Sequence, residues 1–433
     1  MCKYVYVLLF ALIGVHVSAQ EYVVIDTANI EVRKAENELF KTRAKLFRKE
    51  LTSKYKGLLG VDIRNNFDEK AKELEKDILK GQFVFDKHFD DVLKEIIDEL
   101  KAKNEQIPVD MKFYVSRDLD LNAASMGDKT FIVNMGLFYF LQNKGQIAAI
   151  LSHEIAHLML NHSIETISNN YQINKTDLSY TNMGKITETT YNMGNRAYNQ
   201  YKKILYNKGR FSKNHEYKAD SMAYCLLRNT KYSGAEVVTA MRLMEIYDTL
   251  TPIGLNDSVY KKVFNIPGQP FNEKWMLKED FSKYDYSKYT DAYNIDSLSS
   301  HPQLEERIAN LKRIFPELSE NVVPADADSQ LINLRYIVKM EQPASLMITE
   351  DYGQGIYFCL YRIQQNDHPE YYKKWLGSFF QKVYQARKEY RLNHFLDRLD
   401  PENQPLSYQQ FLNFMWNLSM SEIKEIADYY NVD

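Results

Sequence analysis

The chain carries almost no charge imbalance: across 433 residues, 55 Lys and Arg stand against 58 Asp and Glu, a formal net charge of −3. The two signs are interspersed, so a basic surface that would neutralise phosphates is missing and nucleic acid is not expected as a partner. Long apolar runs are missing too. After the first residues none approaches the roughly 20 that a helix needs to cross a bilayer. Cysteine is scarce: Cys2 falls in the first apolar segment, which leaves Cys225 and Cys359. In an oxidising compartment these two could close one disulfide. The alternative is that Cys225, inside the apolar stretch 223–227, is a buried thiol.

What the N-terminus does contain reads as an export signal. Lys3 is the only early charge, the run Val5 to Val15 is broken only by Gly14, and Val17-Ser18-Ala19 places small residues ahead of Gln20. These are the parts of a secretory signal peptide, and an uncleaved anchor is the alternative. The expected home is a bacterial periplasm or an extracellular space. At roughly 150 residues per domain the length predicts more than one unit. We expect a signal peptide over 1–19, a helical segment over 20–105, a catalytic unit over 106–315 and a helical region over 316–433.

Chemistry enters at Leu151-Ser152-His153-Glu154-Ile155-Ala156-His157, an HExxH motif. Two histidines at i and i+4 share one helical face, so both imidazoles reach a single metal ion. Glu154, next to the first, is placed to act as a base toward water at that metal. The surrounding run from Gln146 to Leu160 is apolar on more than one face, which predicts a buried helix. Two histidines and a glutamate inside such a helix are costly to desolvate without a partner, and a metal is the simplest one.

A zinc hydrolase keeps three protein ligands, so one more must come from elsewhere. His162 lies five residues beyond His157 and at helical pitch points off the ligand face. The extended metzincin pattern needs a histidine where Ser163 stands. Further on, Glu216 and Asp220 are again i and i+4, in a second helical run. They fit an arrangement in which Glu216 binds the metal and Asp220 accepts a hydrogen bond from a liganding histidine. The competing reading is an acidic first turn favoured by the helix dipole.

From residues 118 to 315 the chain resembles the zinc metallopeptidase family that includes HtpX, the CAAX prenyl endopeptidases and a soluble periplasmic branch. Four ordered motifs carry the resemblance. They are Asn122-Ala123-Ala124 followed by the segment Thr130 to Leu137, the HExxH run, His215-Glu216 through Ala219-Asp220, and Ser300-His301-Pro302 with Glu306-Arg307-Ile308. The resemblance implies an α+β, mostly helical zincin-like core with a small sheet beside the active-site helix, and a polypeptide substrate. It implies one zinc ion held by His153, His157 and Glu216, with Glu154 as general base and acid. It places His301 near the metal, where it would stabilise an oxyanion or occupy the open position in a latent state; the alternative is a helix cap. Arg307 would bind a substrate carbonyl or pair with a carboxylate. The lack of later membrane-length segments departs from the multi-spanning members and points to the soluble branch, whose substrates are unfolded or misassembled envelope proteins.

Helical patterns are predicted over 30–55, 67–79 and 85–103, then strands at 111–115 and 130–133. A small sheet would let a peptide add to its edge near Asn122, Ala123 and Ala124. Two long polar intervals, 163–213 with a helical piece near 196–206 and 251–299, suggest restricted access. Beyond 316 the apolar run over 332–340 suits a helix or a strand, and the aromatic-rich patterns over 353–365, 370–392 and 408–430 read as helices, in a region that completes the core or binds a protein partner. A binding protein that uses the groove without cutting is the alternative to an enzyme, and hydrolysis of a non-peptide amide is a third reading.

Overall fold

A computed structural model describes residues 22–25, 30–177, 212–249, 254–277, 303–319, 328–400 and 404–431. The signal segment 1–19, the helical piece expected near 196–206 and His301 lie outside these residues. Among the described residues no helix is long and apolar enough to cross a membrane.

The first two helices, α1 (Ile30–Lys54) and α2 (Gly57–Lys80), fold back on each other. Phe40 meets Leu74 and Ile78 in one small cluster with Tyr114 of the sheet, and Leu51 meets Ile63 and Phe67 in another. The sequence predicts the second helix only from residue 67, ten residues late. Its first turns hide their helicity because Gly57 and Gly60 depress the local propensity. Gly60 is needed there, since a Cβ would sit 2.3 Å from the Tyr55 carbonyl oxygen.

After the short strand β1 (Phe83–Val84), α3 (Lys87–Lys103) starts at Asp86, whose side chain accepts a hydrogen bond from His88 N. Phe89, Val92, Leu93, Ile96, Ile97 and Leu100 form its buried stripe at spacings of three and four. Strands β2 (Lys112–Ser116), β3 (Ala123–Ser125) and β4 (Thr130–Asn134) complete a mixed four-stranded sheet of order β1-β2-β4-β3. The inner pair β2–β4 is parallel, with Tyr114 opposite Ile132, and β3 runs antiparallel to β4 at the edge. Three residues are too few for a periodicity to announce β3. Gly136, just after β4, lets the chain pass close under the segment leading into β3: a Cβ would meet the Leu119 carbonyl oxygen at 2.2 Å.

Helices α4 (Met135–Phe140), α5 (Lys144–Met159), α6 (His162–Asp177), α7 (residues 212–227), α8 (Glu236–Thr249), α9 (Asp257–Phe264) and α10 (Leu304–Ile314) follow. The main core joins α3, the sheet, α4, α5, α7, α8 and α10, with Phe131, Leu137, Phe138, Leu151 and Ile155 fully buried. The architecture is thus α+β and mostly helical, as the sequence predicts.

The C-terminal region holds α11 (Ser329–Ile348), α12 (Tyr352–Gln364), α13 (Pro369–Lys388), α14 (Leu406–Asn417) and α15 (Met420–Tyr430). The pattern over 408–430 suggests one helix, but two are present. Ser419 and Glu422 form a reciprocal capping box that restarts the backbone after Leu418. A second core gathers Phe379, Phe380, Phe411, Phe414 and Ile423, and residues 255–275, including Tyr260 and Trp275, pack within it rather than in the main core. Cys225 packs against the first core and Cys359 is buried in the second, both as free thiols, so the disulfide does not form.

One buried ion pair ties three distant stretches together. Arg117, following β2, places Nη1 3.0 Å from Glu341 Oε2 on α11, and both side chains are fully buried. The other carboxylate oxygen accepts from the Tyr22 hydroxyl at 2.8 Å and Ile25 N at 2.7 Å.

Candidate active site

Helix α5 begins where Asn143 accepts a hydrogen bond from Gln146 N, and residues Gly145 to Ser152 are buried, as its apolar composition predicts. His153 and His157 emerge from its one partly open face, beside a cavity of about 980 Å³. Their Nε2 atoms stand 3.0 Å apart. Glu216, buried on α7, brings Oε2 to 3.4 Å from His153 Nε2 and Oε1 to 3.5 Å from His157 Nε2. Three donor atoms of the three residues therefore lie within 4.8 Å of one another. Two imidazole nitrogens and a carboxylate aimed at one point suit zinc, and lone pairs this close need a cation between them. The residues fit a zinc ion.

Behind the donors sits a buried charge network. Asp220, fully buried, accepts from His153 Nδ1 at 2.9 Å. Arg307 of α10 grips the same carboxylate with both arms of its fork, Nε to Oδ2 at 2.9 Å and Nη2 to Oδ1 at 2.6 Å. Its Nη1 lies 3.3 Å from Glu216 Oε2. Of the two roles that the sequence leaves open for Arg307, the structure displays the carboxylate pair. Burial alone would push Asp220 up, but Arg307 and then His153 outweigh it and hold the carboxyl below its ordinary value. Burial likewise opposes charge on His153, yet hydrogen bonds to Asp220 and Glu216 raise its pKa to about 9 in the metal-free site. His157 has no such support: burial, then the neighbouring His153, lowers it to about 3, so it stays neutral with a lone pair to offer.

Glu154 is placed apart from the donors. Its Oε2 accepts from Ser125 N of the edge strand at 2.8 Å, and burial raises its carboxyl above the ordinary value. Asn122, Ala123 and Ala124 line the same cavity, so the sheet edge and the HExxH helix face one another.

Two contributors escape sequence reasoning. Asn66 and Lys70 on α2 reach the cavity wall, which no local pattern announces. His162 is not among the three converging donors, in keeping with its helical offset, but it is close: its Nδ1 lies 3.0 Å from His157 Nδ1. The helix breaks at Leu160, and Asn161 takes a left-handed φ of 54° before α6 starts. That reversal brings His162 back to the second histidine of the motif. Asn just past a periodic run is a helix-stop signal, and would have marked the break.

An HExxH helix crossed by a second helix that supplies the glutamate, beside a small mixed sheet, defines a zincin-like metallopeptidase. The chain belongs to peptidase family M48, whose model matches residues 86–315, from the start of α3 to the end of α10. No curated protein matches the chain.

The network predicts a graded response at Asp220. Asp220→Ala should weaken zinc affinity by about 10–100-fold, because His153 loses the acceptor that orients it and Arg307 loses its bidentate partner. Asp220→Asn, which keeps an acceptor, should lose less. Competition with a chromophoric chelator measures both; equal affinity in Asp220→Ala and the parent would show that the network does not support the ligand.

Proposed function

We propose that the protein is an exported zinc metalloendopeptidase that cleaves unfolded or misassembled envelope polypeptides as a quality-control protease. The observation that carries this reading is the base held by the substrate strand: Glu154 is fastened to Ser125 N on the free edge of the sheet, beside the three converging donors. Export is supported by the Lys3, Val5 to Val15 and Val17-Ser18-Ala19 pattern, and the envelope substrates by the resemblance to the soluble branch.

His153, His157 and Glu216 would hold the ion. The chemistry that zinc supplies when bound is Lewis acidity toward a carbonyl oxygen and toward water. The remaining work falls to the chain. The β3–β4 ladder alternates, with Met126 N bonded to Thr130 O and Asn134 N bonded to Asn122 O. Ala123 and Ser125 therefore turn their backbone groups outward. Ser125 N is committed to Glu154, while the Ala123 N–H and C=O, which bond to no side chain or loop among the described residues, would pair with an extended peptide. Such pairing lays the scissile bond across the base. With one oxygen fixed by Ser125, Glu154 takes a proton from water with the other and returns it to the leaving amine, a cycle that suits a carboxyl raised by burial.

Casein cleavage by the mature chain, with bound zinc quantified, tests the reading. Activity that disappears with a chelator and returns with zinc is the expected result. A chain that holds zinc yet cuts neither casein nor any unfolded protein would instead serve as a latent enzyme or a binding protein, and His301 would be the next residue to replace.

The edge strand has its own test. Ala123→Pro removes an outward N–H that the ladder does not use, a change that edge strands tolerate. Losing one backbone hydrogen bond of about 1 kcal/mol should raise KM roughly fivefold, with zinc content unchanged. An unaltered KM would remove β3 from the substrate site.

A further inference from the structure

We infer that His162 is a positioning residue for the metal: it fixes the tautomer and ring orientation of the ligand His157, as Asp220 does for His153. The inference rests on the metallopeptidase reading above and extends it to a residue outside the motif.

The argument is one of proton counting. His157 Nε2 is the atom that converges with His153 Nε2 and Glu216, so it must be unprotonated to bind a cation. In a neutral imidazole the proton then sits on Nδ1. That N–H points at His162 Nδ1, 3.0 Å away, which must therefore accept. The proton of His162 is consequently on its Nε2, an atom that is buried with no hydrogen-bond partner among the described residues. An apolar side chain would avoid that unsatisfied N–H, so a histidine here needs a reason, and an acceptor for His157 is the one its geometry offers. The opposite assignment, with His162 donating, would force the His157 proton onto Nε2 and close that nitrogen to a metal.

The ring is held in the plane that this hydrogen bond requires. His162 stacks on His215 of α7 with centroids 3.9 Å apart and planes at 6°. His215 Nε2 in turn lies 3.0 Å from Glu165 Oε2 on α6. The brace thus ties α6 to α5 and α7, the two helices that carry the converging donors. It also makes the two histidine ligands unequal: His153 leans on a carboxylate, His157 on a neutral ring, so His153 is the stronger donor to the metal.

Three forms of the full chain test this by zinc affinity, measured by chelator competition. His162→Phe keeps the ring and the stack but removes the acceptor, and should weaken zinc binding by about 10–100-fold. Its metal-free thermal midpoint should not fall, because a buried unpartnered N–H is removed. His162→Gln restores an acceptor and should bind zinc nearly as the parent does. A parent that binds zinc alongside a His162→Phe variant that binds it equally well overturns this inference alone. A parent that takes up no zinc overturns the metallopeptidase reading and this inference with it. Should His162→Phe fail to fold, long-range proton–nitrogen spectra of the zinc-loaded parent with ring-labelled histidine decide: His162 protonated on Nε2 supports the assignment, and protonated on Nδ1 overturns it.

Discussion

Glu154→Gln should lower kcat by about 10²–10⁴-fold while the protein still binds one zinc ion. The amide retains the size of the side chain and an oxygen to accept from Ser125 N, so the 2.8 Å contact with the edge strand survives. What it cannot do is take a proton. His153, His157 and Glu216 supply the donor set without Glu154, so metal content separates loss of the base from loss of the site. Because the substrate strand is also untouched, KM should move little, the pattern of an interaction made only on the way to the transition state. A variant that cuts casein at the parental rate would remove Glu154 from the mechanism.

The second large effect lies about stability rather than chemistry. Glu341→Ala is expected to destabilise the protein by about 3–5 kcal/mol, because it strands Arg117 as an uncompensated buried charge. Arg117 has no alternative among the described residues: its Nε and Nη2 are already buried without a partner there. The same substitution removes the acceptor for Tyr22 and Ile25, so the N-terminal segment should loosen together with the sheet and α11. The urea midpoint of the metal-free chain reports the first effect, and hydrogen exchange at Ile25 N the second. Replacing both partners by apolar residues, as in Arg117→Met with Glu341→Leu, should recover most of the loss, since desolvation offsets much of what such a pair contributes. A single Glu341→Ala variant as stable as its parent would show that the pair does not hold these stretches together.

Cys359 illustrates how a compartment argument and a structure divide. An oxidising compartment would make a disulfide with Cys225 chemically accessible, yet the two thiols belong to different cores. Burial raises the Cys359 pKa well above its ordinary value, which keeps it in the inert thiol form.

The sequence by itself determined the elements with strong local signals. HExxH sets two imidazoles on one face, with a glutamate beside the first, because i, i+4 spacing is a property of any α-helix, whatever surrounds it. The apolar run around it dictates burial, the stripe from Phe89 to Leu100 dictates which face of α3 turns inward, and Glu216 with Asp220 repeats the same helical logic on α7. Tertiary structure decided the rest, because those relations join residues far apart in the chain. Only folding brings Ser125 to Glu154, 29 positions away, and Arg307 to Asp220, 87 positions away. It also turned His162 back onto His157 through one left-handed residue, and moved residues 255–275 out of the main core and into the C-terminal one. Periodicity reports which side of an element is buried; it does not report what that side meets.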